Sequence, residues 1–331
     1  MKLTSRRHRA TSAAALGSIL GLVLAACTGT PGSSGQPTAG VPSPAPDALR
    51  VVATTTVLAD MVQEVGGEHV SVHSLVPKGG EVHTFDPTPS DATTVADAQL
   101  LVMNGLGLDE WLGYIAADAG GGNIPVVELA EDLEGVTYLE GDEHEGEDEH
   151  EGEDEHEGEA FNPHLWLNVQ YTILYVERLA DTLIEVDPDH ADAYAARAAE
   201  YVAELEELDS WAREQMATIP DENRRVISFH EAFPYFAQAY GLEIVGTVID
   251  APGQDPSAGE VTALIDAVRD EEAVAIFTEA QFPTTAAERI SEETGVDIVG
   301  ELYNDSLGDA PVDSYLGMMR WNVEQVVEAL Q

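Results

Sequence analysis

Short apolar runs alternate with amphipathic stretches along most of the chain. Leu49 to Ala53 is an apolar run followed by Thr54-Thr55-Thr56, then Val57, Leu58, Met61, Val62 and Val65 at helical spacing, up to Gly66-Gly67. The pattern predicts a strand, a threonine cap and a helix with one apolar face. Val70 and Val72 alternate with His69, Ser71 and His73, as in a strand with one buried face, which leaves both histidines on the solvated side. Pro77-Lys78-Gly79-Gly80 is a turn. The loop from Glu81 to Asp91 is stiffened by Pro87 and Pro89, with Ser90 or Asp91 expected to cap the next helix. Leu100 to Met103 predicts a strand broken by Asn104-Gly105, Asp109 to Ala117 a helix, and Val126-Val127 another short strand. Such alternation argues for a parallel α/β lobe, whose ligand sites form at the carboxyl ends of the strands. His83 follows the second strand.

The helical period then dominates. Val169 to Val186 reads as one helix, and Asp187-Pro188 opens another that runs to Ile219 without glycine or internal proline. At ~1.5 Å per residue this second helix spans roughly 45 Å, longer than a small lobe is wide. Tyr194, Ala198, Tyr201, Val202, Leu205 and Leu208 give it a continuous apolar stripe. It is expected to be a rigid spine between two lobes, allowing rocking and opposing wide closure. His190, in its first turn, is expected to be exposed. Beyond Pro220 the α/β pattern restarts, with strands at Arg225–Phe229, Ile244–Ile249, Ala273–Thr278 and Val296–Val299. The intervening helices stop at Gly241, start at Ser257 and end at Thr294, and a last one runs from Ser314 to Leu330. The fold class is therefore α/β: two parallel-sheet lobes joined by one long helix. The lobes are bounded as residues 49–187 and 220–331, with the linking helix at 188–219.

Composition adds a sign to this frame. The 331 residues are 44% hydrophobic, ample for a core, and carry 62 Asp+Glu against 14 Lys+Arg, a formal net charge of −48. Such a surface repels nucleic acid and favours cations. Part of the charge lies in an insertion at 139–160, where three tandem copies of Asp-Glu-His-Glu-Gly-Glu supply twelve carboxylates and His144, His150 and His156. These hexads have nothing apolar to bury, and they suit weak cation capture without fixed geometry. The N-terminus reads as targeting: basic Lys2, Arg6, Arg7 and Arg9, a short apolar stretch from Thr11 to Leu24, then Leu24-Ala25-Ala26-Cys27. The last four resemble the lipobox of bacterial lipoproteins. Residues 1–27 are then a signal peptide with lipidated Cys27, and 28–48 a Gly/Pro/Ser/Thr-rich tether to the outer face of a membrane. Cys27 is the one cysteine, which excludes an intrachain disulfide and a cysteine-based zinc site.

The candidate chemistry sits in four stretches. They are His83 with Pro87-Thr88-Pro89-Ser90-Asp91; Asn162-Pro163-His164-Leu165-Trp166-Leu167; Ser228-Phe229-His230-Glu231-Ala232-Phe233 with Tyr240-Gly241-Leu242; and Leu302-Tyr303-Asn304-Asp305-Ser306-Leu307. In this order, from about Leu49 to Gln331, the chain resembles the zinc- and manganese-binding solute-binding proteins of ABC importers, the ZnuA/TroA-like cluster. The resemblance implies metal ligands His83 and His164 from the first lobe and His230 and Asp305 from the second, with the ion in the cleft. Members tuned to manganese tend to carry a carboxylate where this chain has His230, so Zn²⁺ is the expected ligand ahead of Mn²⁺; three imidazoles and one carboxylate suit it. Glu279 resembles a position beside the site and is expected to support rather than ligate. Some zinc members place a carboxylate next to the first histidine; here that neighbour is Val82, with Glu81 one residue further back. Asn162 and Asn168 stand where the family usually has aspartates, which alters the support of His164.

The resemblance implies no enzyme. It implies a monomeric extracytoplasmic lipoprotein that passes its ion to an ABC permease and its ATPase. A manganese-binding homologue and a metal-binding adhesin are the nearest alternatives. A zinc hydrolase would need an open coordination position and a base such as Glu231 or Glu279, and the chain has no His-Glu-x-x-His.

Overall fold

The computed structural model describes residues 44–118, 124–141, 161–249, 252–254 and 256–331. Cys27, most of the tether and the three hexad histidines lie outside them. The first lobe comprises β1 Leu49–Ala53, α1 Thr56–Gly66, β2 Val70–Ser74, α2 Pro89–Ala96, β3 Leu100–Met103, α3 Trp111–Asp118 and β4 Val126–Glu128. Two long helices come next, α4 Val169–Val186 and α5 Ala191–Met216. The second lobe comprises β5 Arg225–Ser228, α6 Pro234–Tyr240, β6 Glu243–Thr247, α7 Ala258–Asp270, β7 Ala275–Glu279, α8 Thr285–Thr294, β8 Asp297–Leu302 and α9 Tyr315–Leu330.

Each lobe holds a four-stranded parallel sheet, with strand orders β2-β1-β3-β4 and β6-β5-β7-β8. The two orders are the same. β3 and β7 are buried at every position, as parallel strands covered on both faces must be. Strand order reverses between β1 and β3 and again between β5 and β7, and crevices open at those points. In the first lobe Asp109 fills the crevice. Its carboxylate accepts from Thr54 Oγ1 at 2.6 Å, Asn104 N at 2.7 Å and Gly105 N at 2.9 Å. Burial pushes Asp109 up to about 6 against the pull of those donors. The helix expected from Asp109 accordingly begins at Trp111, because Asp109 is spent inward.

Further boundaries differ from the sequence reading: the strand expected at Ile244–Ile249 spans Glu243–Thr247, and that expected at Val296–Val299 runs on to Leu302. α2 is capped by Thr88, not by Ser90 or Asp91. Thr88 Oγ1 accepts from Asp91 N, while Asp91 Oδ2 accepts from Thr88 N at 2.7 Å. Pro89 takes the first helical position, where its missing N–H costs nothing. The linking helix opens with a 3₁₀ turn at Pro188–His190 and stops at Met216. His190 is not simply exposed: its Nδ1 lies 2.7 Å from Asp187 Oδ2, and its ring stacks on His69 at 4.0 Å. The end of the tether is also held, with Ala45 N donating to Glu68 O at 2.9 Å.

α5 buries Tyr194, Ala198, Tyr201, Leu205, Leu208, Ala212 and Met216. One apolar cluster runs from Val57 and Leu58 in α1 through this stripe to Phe236 and Val326. Asp209 sits on the buried face, 6% exposed. It accepts from Gln170 Nε2 of α4 at 3.0 Å, Arg213 Nε at 2.9 Å and Tyr240 OH of α6 at 3.2 Å. Asp209→Leu orphans all three donors and is expected to cost about 2–4 kcal/mol. Urea unfolding checks this; a loss below about 0.5 kcal/mol would show that the carboxylate does not join the helices.

Candidate metal centre

In the second lobe three adjacent strands deliver the polar groups. β5 ends at Ser228, whose Oγ donates to His230 O at 2.7 Å and fixes the exit of the chain. β7 ends in Glu279, and Asn304-Asp305 comes after β8. Glu279 does not face the centre. Its Oε2 lies 2.7 Å from His230 Nδ1 and accepts from Asn304 Nδ2 at 2.9 Å, while Oε1 accepts from His230 N at 3.2 Å. Gln281 Nε2 donates to Asn304 Oδ1 at 2.5 Å, which closes the set.

In the first lobe His83 stands on the loop after β2. Val82 beside it is fully buried, and Glu81 Oε1 accepts from His83 N at 2.9 Å. His164 is anchored by the next three residues: Leu165, Trp166 and Leu167 form a 3₁₀ turn with all three side chains buried. Asn162 Oδ1 accepts from His164 N at 3.0 Å and lies 3.1 Å from His164 Nδ1. Asparagine thus orients this ring without a charge. Behind the segment, Asn104 Nδ2 donates to Pro163 O at 3.0 Å, and Tyr175 OH donates to Asn104 Oδ1 at 2.7 Å.

The four residues named from the sequence converge. His83, His164, His230 and Asp305 each present a nitrogen or carboxylate oxygen, and these atoms all lie within 4.8 Å of one another. His83 Nε2 is 3.3 Å from His164 Nε2 and 3.7 Å from Asp305 Oδ2; His164 Nε2 is 3.4 Å from Asp305 Oδ1, and His230 Nε2 is 4.0 Å from Asp305 Oδ2. Tetrahedral N/O ligands at ~2.0–2.1 Å from zinc stand roughly 3.3 Å apart, so a small contraction about an ion gives that shell. The Nδ1 partners, Asn162 and Glu279, leave the Nε2 lone pairs of His164 and His230 for the centre. Among the described residues, His230 Nε2 is buried with no hydrogen-bond partner.

In the metal-free site protons compete with a cation for these groups. Burial lowers His164, although Asp305 opposes it. Burial also acts to lower His230, but Glu279, with Asp305 and Glu81, lifts it to about 9. Burial raises Asp305, yet His164, His83 and His230 outweigh this and hold it below the usual carboxylate range. Glu81 is raised, by burial first and then by the charge of Asp305.

The insertion is attached at this site. Its legs pair through an antiparallel bridge between Glu140 and Phe161, directly before Asn162. Second-lobe groups hold both legs: Leu139 N donates to Tyr235 OH at 3.0 Å, and Asn162 Nδ2 donates to Glu231 O at 2.6 Å. Glu231, a candidate base for a hydrolase, is thus a backbone anchor for Asn162. His69, His73 and His190 are not part of the converging set. Sequence reasoning did not single out Asn104, Gln281 or Asn304. Asn304 alone had a signal, its place next to Asp305.

The family described as zinc-uptake complex component A, periplasmic, matches residues 51–329. The chain belongs to this ZnuA family. It is 32% identical to the manganese-binding lipoprotein MntA of Halalkalibacterium halodurans, over 86% of this chain and 89% of that one. It is 28% identical to the iron ABC transporter substrate-binding lipoprotein MtsA of Streptococcus pyogenes, over 95% of this chain and 97% of that one. Among solved structures, the periplasmic zinc-binding protein TroA from Treponema pallidum aligns with a TM-score of 0.75 and 26% identity, covering 86% of this chain and 99% of that one. This ZnuA-family chain is a metal-binding subunit of an ABC importer and not an enzyme. The two parallel-sheet lobes and the long linking helix are the TroA-like fold.

Proposed function

We propose that this chain is the lipid-anchored, extracytoplasmic Zn²⁺-binding subunit of its importer, with His83, His164, His230 and Asp305 as the four ligands. The observation that carries the reading is the convergence of three imidazoles and one carboxylate, two residues from each lobe, on one buried point. That donor set favours zinc, which accepts four N/O ligands, whereas manganese favours more oxygens. Ligation needs neutral imidazoles, so affinity falls as pH falls. Delivery occurs when a permease draws the lobes apart and separates the two pairs. The anchor is Cys27, a reading supported by the lipoprotein names of MntA and MtsA. The hexads, with His144, His150 and His156, capture cations weakly and raise their local concentration.

Manganese is the second reading. It is favoured by the name of MntA and by Glu81, a further carboxyl group, raised by burial and by the charge of Asp305 and itself acting on His230. The two are separated by titrating the metal-free protein with each ion and following thermal unfolding. Zn²⁺ at a hundredfold over its dissociation constant is expected to stabilise by ~2.7 kcal/mol, with a smaller effect from equal Mn²⁺. A larger shift with Mn²⁺ overturns the zinc reading; no shift with either overturns both. Deleting 142–159 is expected to leave the saturated shift unchanged and slow uptake at scarce Zn²⁺.

A further inference from the structure

By chain order Asp305 belongs to the second lobe, but the residues just after it are bonded to the first. Ser306 Oγ accepts from Gly79 N at 2.7 Å and lies 3.3 Å from Thr56 Oγ1. Thr56 Oγ1 accepts from Leu307 N at 2.8 Å, and Lys78 Nζ donates to Gly308 O at 2.9 Å. On the other flank Trp166 Nε1 donates to Asn304 O at 3.0 Å. Gly79 reaches Ser306 from a left-handed turn with φ 71, a conformation open to glycine. His230 is held by its own lobe, its N and Nδ1 contacts both to Glu279, and the carbonyl of Glu231 after it reaches Asn162 of the first lobe. We infer that Thr56 and Ser306 form a clasp that holds Asp305 against the first lobe and sets how long a bound divalent ion stays.

This rests on the metal-carrier reading and adds residues to it. Neither Thr56 nor Ser306 belongs to the converging set. Ser306 is 3% exposed and Asp305 fully buried; the bonds of Ser306 and Thr56 between the lobes are partly buried, and that of Lys78 is exposed. Before Asp305 can separate from His83 and His164, these bonds have to break. The clasp therefore raises the barrier to release more than it changes the coordination.

The test loads the full chain with Zn²⁺, adds excess EDTA and follows metal release in wild type, Thr56→Val, Ser306→Ala and the double variant. Each single variant is expected to release roughly tenfold faster. The double variant is expected to be no faster than the quicker single, because both substitutions break one unit. Thr56→Ser keeps the hydroxyl and should restore the wild-type rate. The absorption of bound Co²⁺ should be unchanged throughout, since all four ligands remain. A merely structural role would instead lower the melting temperature of the metal-free protein and leave the rate alone. Lys78→Met alters only an exposed side chain and should speed release about twofold, which keeps the test informative if the core variants do not fold. Folded variants that release at the wild-type rate overturn the clasp while the carrier reading stands. Wild-type protein that retains no divalent ion overturns both.

Discussion

His230→Ala is expected to weaken Zn²⁺ binding by about 10²–10³-fold. A four-ligand structural zinc site is worth ~10–16 kcal/mol, or ~2.5–4 kcal/mol for each ligand. The position is stringent because no neighbour can stand in. Glu279 is turned away from the centre by its bonds to His230 and Asn304, and Phe282 packs against the far side of the His230 ring at 5.4 Å. Competition against a chelator of known affinity measures the effect. A loss below tenfold would mean that His230 does not ligate, and would return attention to Glu81 as the fourth donor.

The four converging residues, Glu279 and Asn162 were legible while Asn104 and Gln281 were not, because the signals lie in different places. The sheets could be read where a strand is a short apolar run closed by a helix cap, as at Leu49–Ala53 before the Thr55 cap. These four residues came from resemblance to a family, since nothing periodic connects His83, His164, His230 and Asp305. Local chemistry was ambiguous where two good candidates adjoined. Ser90 and Asp91 are both competent caps, and only the fit of Pro89 to the first helical position favours Thr88. Asp109 looked like a helix start because an aspartate before an apolar stretch usually is one; its partners Thr54 and Asn104 come from other strands. Trp166 and Asn304 meet across 138 residues, beyond any local pattern. The pairing of His69 with His190 is of the same kind.

Glu279→Gln is the second large effect, a 10–100-fold loss of Zn²⁺ affinity with all four ligands in place. The amide keeps the shape, removes the charge beside His230 Nδ1, and turns a donor towards Asn304 Nδ2 or His230 N. Affinity equal to wild type would show that Glu279 is only a structural neighbour. The metal-free protein offers an independent readout. His230 is raised from 6.5 to about 9, so the stability it contributes is complete below pH 6.5 and fades as pH rises through about 9. In the variant this slope between pH 6.5 and 9 should flatten. A slope identical to wild type would place the source of the shift elsewhere.

The unbroken apolar contact from α1 through α5 to α9 bears on how the molecule melts. A cleft usually marks a boundary along which two bodies can denature in turn, each with its own endotherm. Here the floor of the cleft is shared interior, so the two halves are thermodynamically one cooperative unit. An ion caught between the lobes therefore protects residues far from it, and a single calorimetric peak, displaced as a whole, reports its capture.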